Sequence, residues 1–151
     1  MRVLWMAALL GALALAPAAR AQEQGGAPHG PLYRIPGGGI FNWMTTPERM
    51  PDGKIRFWHW VITHGLPGAE EDADGYSFLN EVDCEARTLS RQGREWWYGH
   101  RLVRVIPEHT PHRVWPAIFQ EADLVRVVCD GLPLEGRVED TDDARRLVPR
   151  D

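Results

Sequence analysis

Lys54-Ile-Arg-Phe-Trp-His-Trp-Val-Ile-Thr-His64 decides the fold class. Residues in a strand point alternately to the two faces of a sheet. Ile55, Phe57, His59, Val61 and Thr63 therefore face one way, and Arg56, Trp58, Trp60, Ile62 and His64 the other. β-branched and aromatic side chains fill both sets, so both faces are at least partly covered, which predicts a sheet interior with something packed on one side. Pro51-Asp52-Gly53 before it reads as a reversal, and Ile40, Phe41, Trp43 and Met44 before that as a first strand.

A loop from Gly65 to Gly75 follows, carrying Glu70, Glu71, Asp72 and Asp74. Ser77 to Leu89 then alternates. Phe78, Val82, Cys84 and Ala86 fall on one face, and Glu81, Asp83, Glu85 and Arg87 on the other, as in a half-buried antiparallel strand. Arg91-Gln92-Gly93 reads as the turn of a hairpin, Glu95–Tyr98 as a short return strand and Arg101–Ile106 as the next. Pro107 to Pro116 reads as a loop. From Ala117 the period changes: Ile118, Ala122, Val125, Val128 and Cys129 share one helical face, with stop signals at Gly131 and Pro133. The expected fold class is α+β, an antiparallel sheet with this C-terminal helix on one face.

The flanks read differently. Met1 to Ala21 has a basic start, an apolar run from Leu4 to Ala16, and Ala19 and Ala21 at the spacing of a signal cleavage site. Residues 1–21 are expected to be an export signal, 22–38 a flexible leader, 39–131 the domain and 132–151 a charged flexible tail. No cysteine lies near the cut for lipid attachment, and no second apolar run is long enough to span a membrane. The expected product is exported, to the periplasm or the cell surface, without a lipid anchor.

Residues 1–21 contain Arg2 and Arg20 and no acid. Taking those two from the chain's 17 basic residues leaves 15 against 21 acids, a formal charge of −6. A nucleic-acid binder needs a basic patch to neutralise phosphates, so that class is disfavoured. Cys84 and Cys129 are the two cysteines, and an even count in an exported chain reads as a disulfide. A reactive thiol or a metal pair is the alternative, although neither cysteine sits in a Cys-x-x-Cys motif. A bond between them staples the last helix to the sheet.

Candidate chemistry is sparse. His109 and His112 lie three apart but in a proline-containing stretch, and His59 reads as sheet packing, so no metal site is assigned. Asp72-Ala73-Asp74-Gly75 resembles the start of a calcium loop without its later glutamate. No Gly-x-Ser-x-Gly motif occurs, and Ser77 and Ser90 have no identifiable histidine partner, so no catalytic residue and no cofactor are assigned. Trp58 or Trp60 together with Trp96 or Trp97 is the candidate binding patch, since aromatics exposed on a sheet suit protein recognition.

Val82-Asp83-Cys84-Glu85-Ala86-Arg87-Thr88 resembles a strand of the bacterial surface-adhesin protein E family. Trp115-Pro116 and a helix closing on Val127-Val128-Cys129 are similar to that family's last segment, and Ile55–Trp60 to its first long strand. The resemblance implies an antiparallel sheet with a C-terminal helix tethered through Cys84 and Cys129. It also implies a non-enzymatic role in which a protein partner, of host matrix, plasma or envelope, is bound. This chain lacks the lipid-attachment cysteine of surface-tethered members and has a longer charged tail.

Overall fold

The computed structural model describes residues 26–65 and 73–150. The expected export signal lies outside the described residues, as do Glu70, Glu71 and Asp72.

Four long or medium strands form the centre of the sheet: β4 (Ile55–Ile62), β5 (Gly75–Asp83), β6 (Thr88–Tyr98) and β7 (Arg101–Arg113). The short strands β1 (Leu32–Arg34), β2 (Asn42–Met44) and β8 (Glu135–Val138) extend it in the order β7-β6-β5-β4-β2-β1-β8, while β3 (Glu48–Arg49) pairs with β4 outside that path. Every pairing is antiparallel. Helix α1 (Gln120–Cys129) follows β7, and α2 (Thr141–Leu147) follows β8. The α+β class stands.

Alternation along β4 divides the interior into two cores. Trp60 and Ile62 join Leu32, Trp43, Trp97, Ala144 and Val148 on one face, under α2. Phe57 joins Ile35, Met44, Val82, Leu89, Leu124, Val125 and Val127 on the other, under α1. The Cys84–Cys129 disulfide (Cα–Cα 5.4 Å) ties the end of α1 to the β5–β6 turn. One helix on one face is thus only half of the architecture.

Several expectations are corrected. The leader expected at 22–38 carries β1, and its Ala27, Leu32 and Ile35 are buried. The tail expected at 132–151 carries β8 and α2, and its Thr141, Ala144 and Val148 are buried. Both segments are polar on average, yet each supplies a few apolar residues at the right spacing to close the core over Trp60 and Trp97. Arg91-Gln92-Gly93 is not a turn. β6 runs through it, and Gly93, at φ 66°, is the extra residue of a bulge between Gln92 and Arg94. The reversal comes earlier, over residues 84–87, with Arg87 at φ 55°. Cys84 therefore sits just beyond its strand, and Ala86 is exposed.

Pro107 and Pro111 do not begin a loop. β7 is an edge strand, where a missing N–H removes no ladder bond, and it continues to Arg113. Helix α1 starts at Gln120 rather than Ala117 and buries Glu121, Leu124, Val125 and Val127, while Ile118 remains 89 % exposed. Glu81, placed outward by its charge, is buried.

Candidate functional site

The two helices cover different portions of the two faces. On the face shared by Trp60, no helix among the described residues lies over the stretch around Trp58 and Leu79, and an open cleft of about 680 Å³ lies there. Trp58 and Leu79 are cross-strand partners on β4 and β5 and form the floor with Arg56. Thr45 to Met50 makes one wall and Gly26 to Pro31 another, while Leu102 and Val105 of β7 stand at the outer side. Leu102 is 40 % exposed and Val105 55 %.

Each wall is fixed by polar contacts. Thr45 and Trp58 bond reciprocally: the Trp58 N–H donates to Thr45 Oγ1 (2.9 Å), and the Thr45 N–H to the Trp58 carbonyl (3.0 Å). The Ala27 N–H donates to Glu95 Oε2 (2.8 Å), and Trp60 Nε1 donates to the Pro28 carbonyl (3.1 Å). Gly26 lies so close that an added Cβ would stand 2.8 Å from the Trp97 ring. The wall at Gly26–Pro31 is thereby held on the sheet by Glu95 and two indoles, so the cleft is preformed rather than closed by a loop.

The candidate tryptophans do not share one exposed patch. Trp60 and Trp97 face each other at 5.4 Å between ring centroids and are 1 % and 4 % exposed, so they are core. Trp97 Nε1 donates to Ser77 Oγ (3.0 Å), satisfying the indole in that core. Trp96 lies on the opposite face against Tyr76 (5.5 Å). Trp58 alone of the four reaches the cleft. Neighbours at 96 and 97 must point to opposite faces, and the mutual burial of Trp60 and Trp97 leaves Trp58 as the accessible indole. Leu102, Val105 and Met50 were not singled out from the sequence. Their signal is an apolar run at both parities, Leu102-Val103 and Val105-Ile106, on what proves to be an edge strand.

Beside the cleft, buried Glu81 collects three positive or protonatable partners. Arg56 Nε donates to Glu81 Oε2 (2.8 Å) and Lys54 Nζ to Oε1 (3.1 Å), with His112 Nε2 3.0 Å from Oε1. Burial opposes ionisation of the carboxyl, but the bonds from His112, Arg56 and Lys54 outweigh it and hold the pKa at about 2. Thr88 Oγ1 lies 3.2 Å from His112 Nδ1, completing a hydroxyl–imidazole–carboxylate chain. In a hydrolytic triad the carboxylate serves the imidazole. Here its charge is shared with Arg56 and Lys54, and the chain ties β7 to β5 across β6. Ser77 and Ser90 are likewise in structural bonds, Ser90 to the Thr110 carbonyl at 2.9 Å.

Asp74 accepts from the Gly99 N–H (3.2 Å) and pairs with Arg145 (3.0 Å), so half of the calcium-like motif is committed to packing. His59 is buried against Asn42 Oδ1 (3.1 Å), and desolvation, aided by Arg91, pushes its pKa to about 3. His109 and His112 both lie on β7. A different trio, His100, Asp140 and Asp142, brings one ligand-capable atom each within 4.8 Å. Asp140 caps α2 through the Asp143 N–H (2.9 Å), and Asp142 pairs with Arg145 (2.5 Å) and His100 (3.3 Å). Those carboxylates are already engaged in bonds within the fold.

No match emerges when the chain is compared with models of protein families, with curated proteins or with solved structures.

Proposed function

We propose that this protein is an exported, non-enzymatic binding module of the cell envelope, and that the Trp58 cleft receives a segment of a partner protein. The observation that carries this reading is the stretch of sheet that none of the described elements covers. Trp58 and Leu79 form a preformed apolar floor continuous with exposed Leu102 and Val105. A rigid indole in a cleft, ringed by apolar side chains and a few polar groups, is the composition of an interface anchor pocket. Arg56 in its floor and Glu95 behind its Gly26–Pro31 wall are locked in internal bonds, which favours recognition by shape over acid–base work. The Cys84–Cys129 bond supports export, because disulfides persist in oxidising compartments. The likeness of Val82–Thr88 and Val127–Cys129 to surface-adhesin E segments supports a protein ligand.

The test is a photo-crosslinking amino acid at position 102 in living cells, with the same residue at exposed Arg146 as control. A discrete adduct from 102, lost on Trp58→Ala, is the expected result. Equal labelling from both positions, or none from 102, removes the cleft as a protein site. Protease shaving of intact cells then separates a surface module from a periplasmic one.

A further inference from the structure

Between β7 and α1 the chain runs Val114-Trp-Pro-Ala-Ile-Phe119, six apolar residues without a charge. All but Trp115 are exposed, Val114 to 69 %, Ile118 to 89 % and Phe119 to 46 %. A run of this length turned to water costs solubility unless it has a use. Trp115 anchors its base: the indole donates to the Leu89 carbonyl (3.2 Å), packs edge-on against Phe119 (6.0 Å) and carries the Arg113 guanidinium 3.7 Å over its ring.

A second feature points the same way. Phe119 occupies the N-cap of α1 and makes no side-chain capping bond. Ser, Thr, Asp or Asn there stabilises a helix relative to an apolar residue, because its side chain accepts a free backbone N–H. The sequence forgoes that at a position where the ring is not buried in the core either.

We infer that Val114–Phe119 is a membrane-surface anchor, whose Ile118, Val114 and Phe119 enter the interfacial layer of a phospholipid bilayer. Three properties favour lipid over a protein pocket. The run is contiguous in sequence, and Ile118 at its end stands 89 % exposed. An exposed tip suits a soft phase, whereas protein interfaces seat their anchors in complementary pockets. Charge is complementary too. Arg113, stacked on Trp115 within the run, and the N-terminal end of α1, which has no side-chain cap, are positive groups next to the run that suit phosphates. The acids of that first turn are occupied, Glu121 by Arg91 and Asp123 by Arg126. Trp and Arg, with an apolar body and a polar tip, suit the headgroup level. The tip is separate from the Trp58 cleft, so a module docked through it leaves the cleft free.

The test reads the tip itself, so that residues 1–25 cannot imitate the result. Ile118→Cys is labelled with an environment-sensitive nitrobenzoxadiazole. Arg146→Cys, on α2, carries the same label as control. Both native cysteines are bonded, which makes the new thiol unique. Vesicles of phosphatidylethanolamine and phosphatidylglycerol are added. A blue-shifted, brighter emission at 118 but not at 146 is expected. Phe119→Ser, introduced into the labelled chain, should weaken vesicle partitioning roughly tenfold, the loss expected when one large apolar side chain no longer inserts. Circular dichroism establishes that each variant is folded. No change at 118 with folded protein and excess vesicles overturns the assignment. So does a shift at 118 that grows with protein concentration without vesicles, which makes the tip a contact between copies.

Discussion

Arg145 of α2 and Asp74 at the entry to β5 form an ion pair of 3.0 Å, with a further bond from Arg145 Nη2 to Asp74 Oδ1 at 3.1 Å. Asp74 also accepts the Gly99 N–H, so one carboxylate joins the last helix, the start of β5 and the β6–β7 turn. The two side chains are only 17 % and 14 % exposed. Removing one partner of such a pair leaves the other charge largely desolvated. Arg145→Ala should therefore cost about 2–3 kcal/mol in urea unfolding. Arg146→Ala next to it, with a side chain 70 % exposed, should cost under about 0.5 kcal/mol. Equal effects would mean that α2 is not bolted down through Arg145.

That pair also marks where sequence reading stops. The central strands were legible because Ile55–Ile62 and Gly75–Asp83 repeat with period two, and the sheet face of Phe78 and Val82 followed directly. β1, β8 and α2 were not, because three to seven residues are too few to show a period against a polar background. Their burial depends on Trp60 and Trp97 needing a cover, which is a tertiary fact. Gly93 misled for a local reason: the same left-handed freedom serves a turn or a bulge, and only pairing with Phe78 and Leu79 distinguishes them. The cleft was half legible. Trp58 was a candidate, but its selection from among four indoles depended on which of them stack together.

The Cys84–Cys129 bond closes a separation of 45 residues. Chain-entropy reasoning puts its contribution at about 4 kcal/mol, through restriction of the unfolded chain. Cys84→Ser combined with Cys129→Ser should lower the unfolding free energy by that order. Denatured, unreduced protein should show no free thiol on titration. Two thiols per chain would remove the staple between α1 and the β5–β6 turn.

His59 sets a pH dependence with a definite sign. Its folded pKa is about 3, against about 6.5 for an unperturbed histidine. Between those values the unfolded chain binds a proton that the folded chain refuses, so stability is full above pH 6.5 and falls as pH drops towards 3. Burial lowers His29 as well, with the same sign. Chemical denaturation between pH 7 and 5 should show this decline. His59→Gln keeps a donor for Asn42 and cannot titrate, so its slope should be shallower. An unchanged slope would show that His59 does not supply it.

Glu81 acts in a lower window. Its carboxyl is held at about 2, below the ordinary value of about 4.3. The folded state therefore refuses a proton that the unfolded chain accepts, and the resulting stability is present above pH 4.3 and lost as pH falls through 2. Lys54, Arg56 and His112 all lean on this one buried carboxylate, so replacing it unties β7 from β4 and β5 and leaves the cleft floor at Arg56 without its brace. Glu81→Gln should cost on the order of 2 kcal/mol at pH 6 after allowance for solvent screening. The difference from the native chain should shrink steadily below pH 4 in urea titrations. A constant difference down to pH 2 would mean that Glu81 stabilises the sheet by packing alone and that its charge does not bind the three partners together.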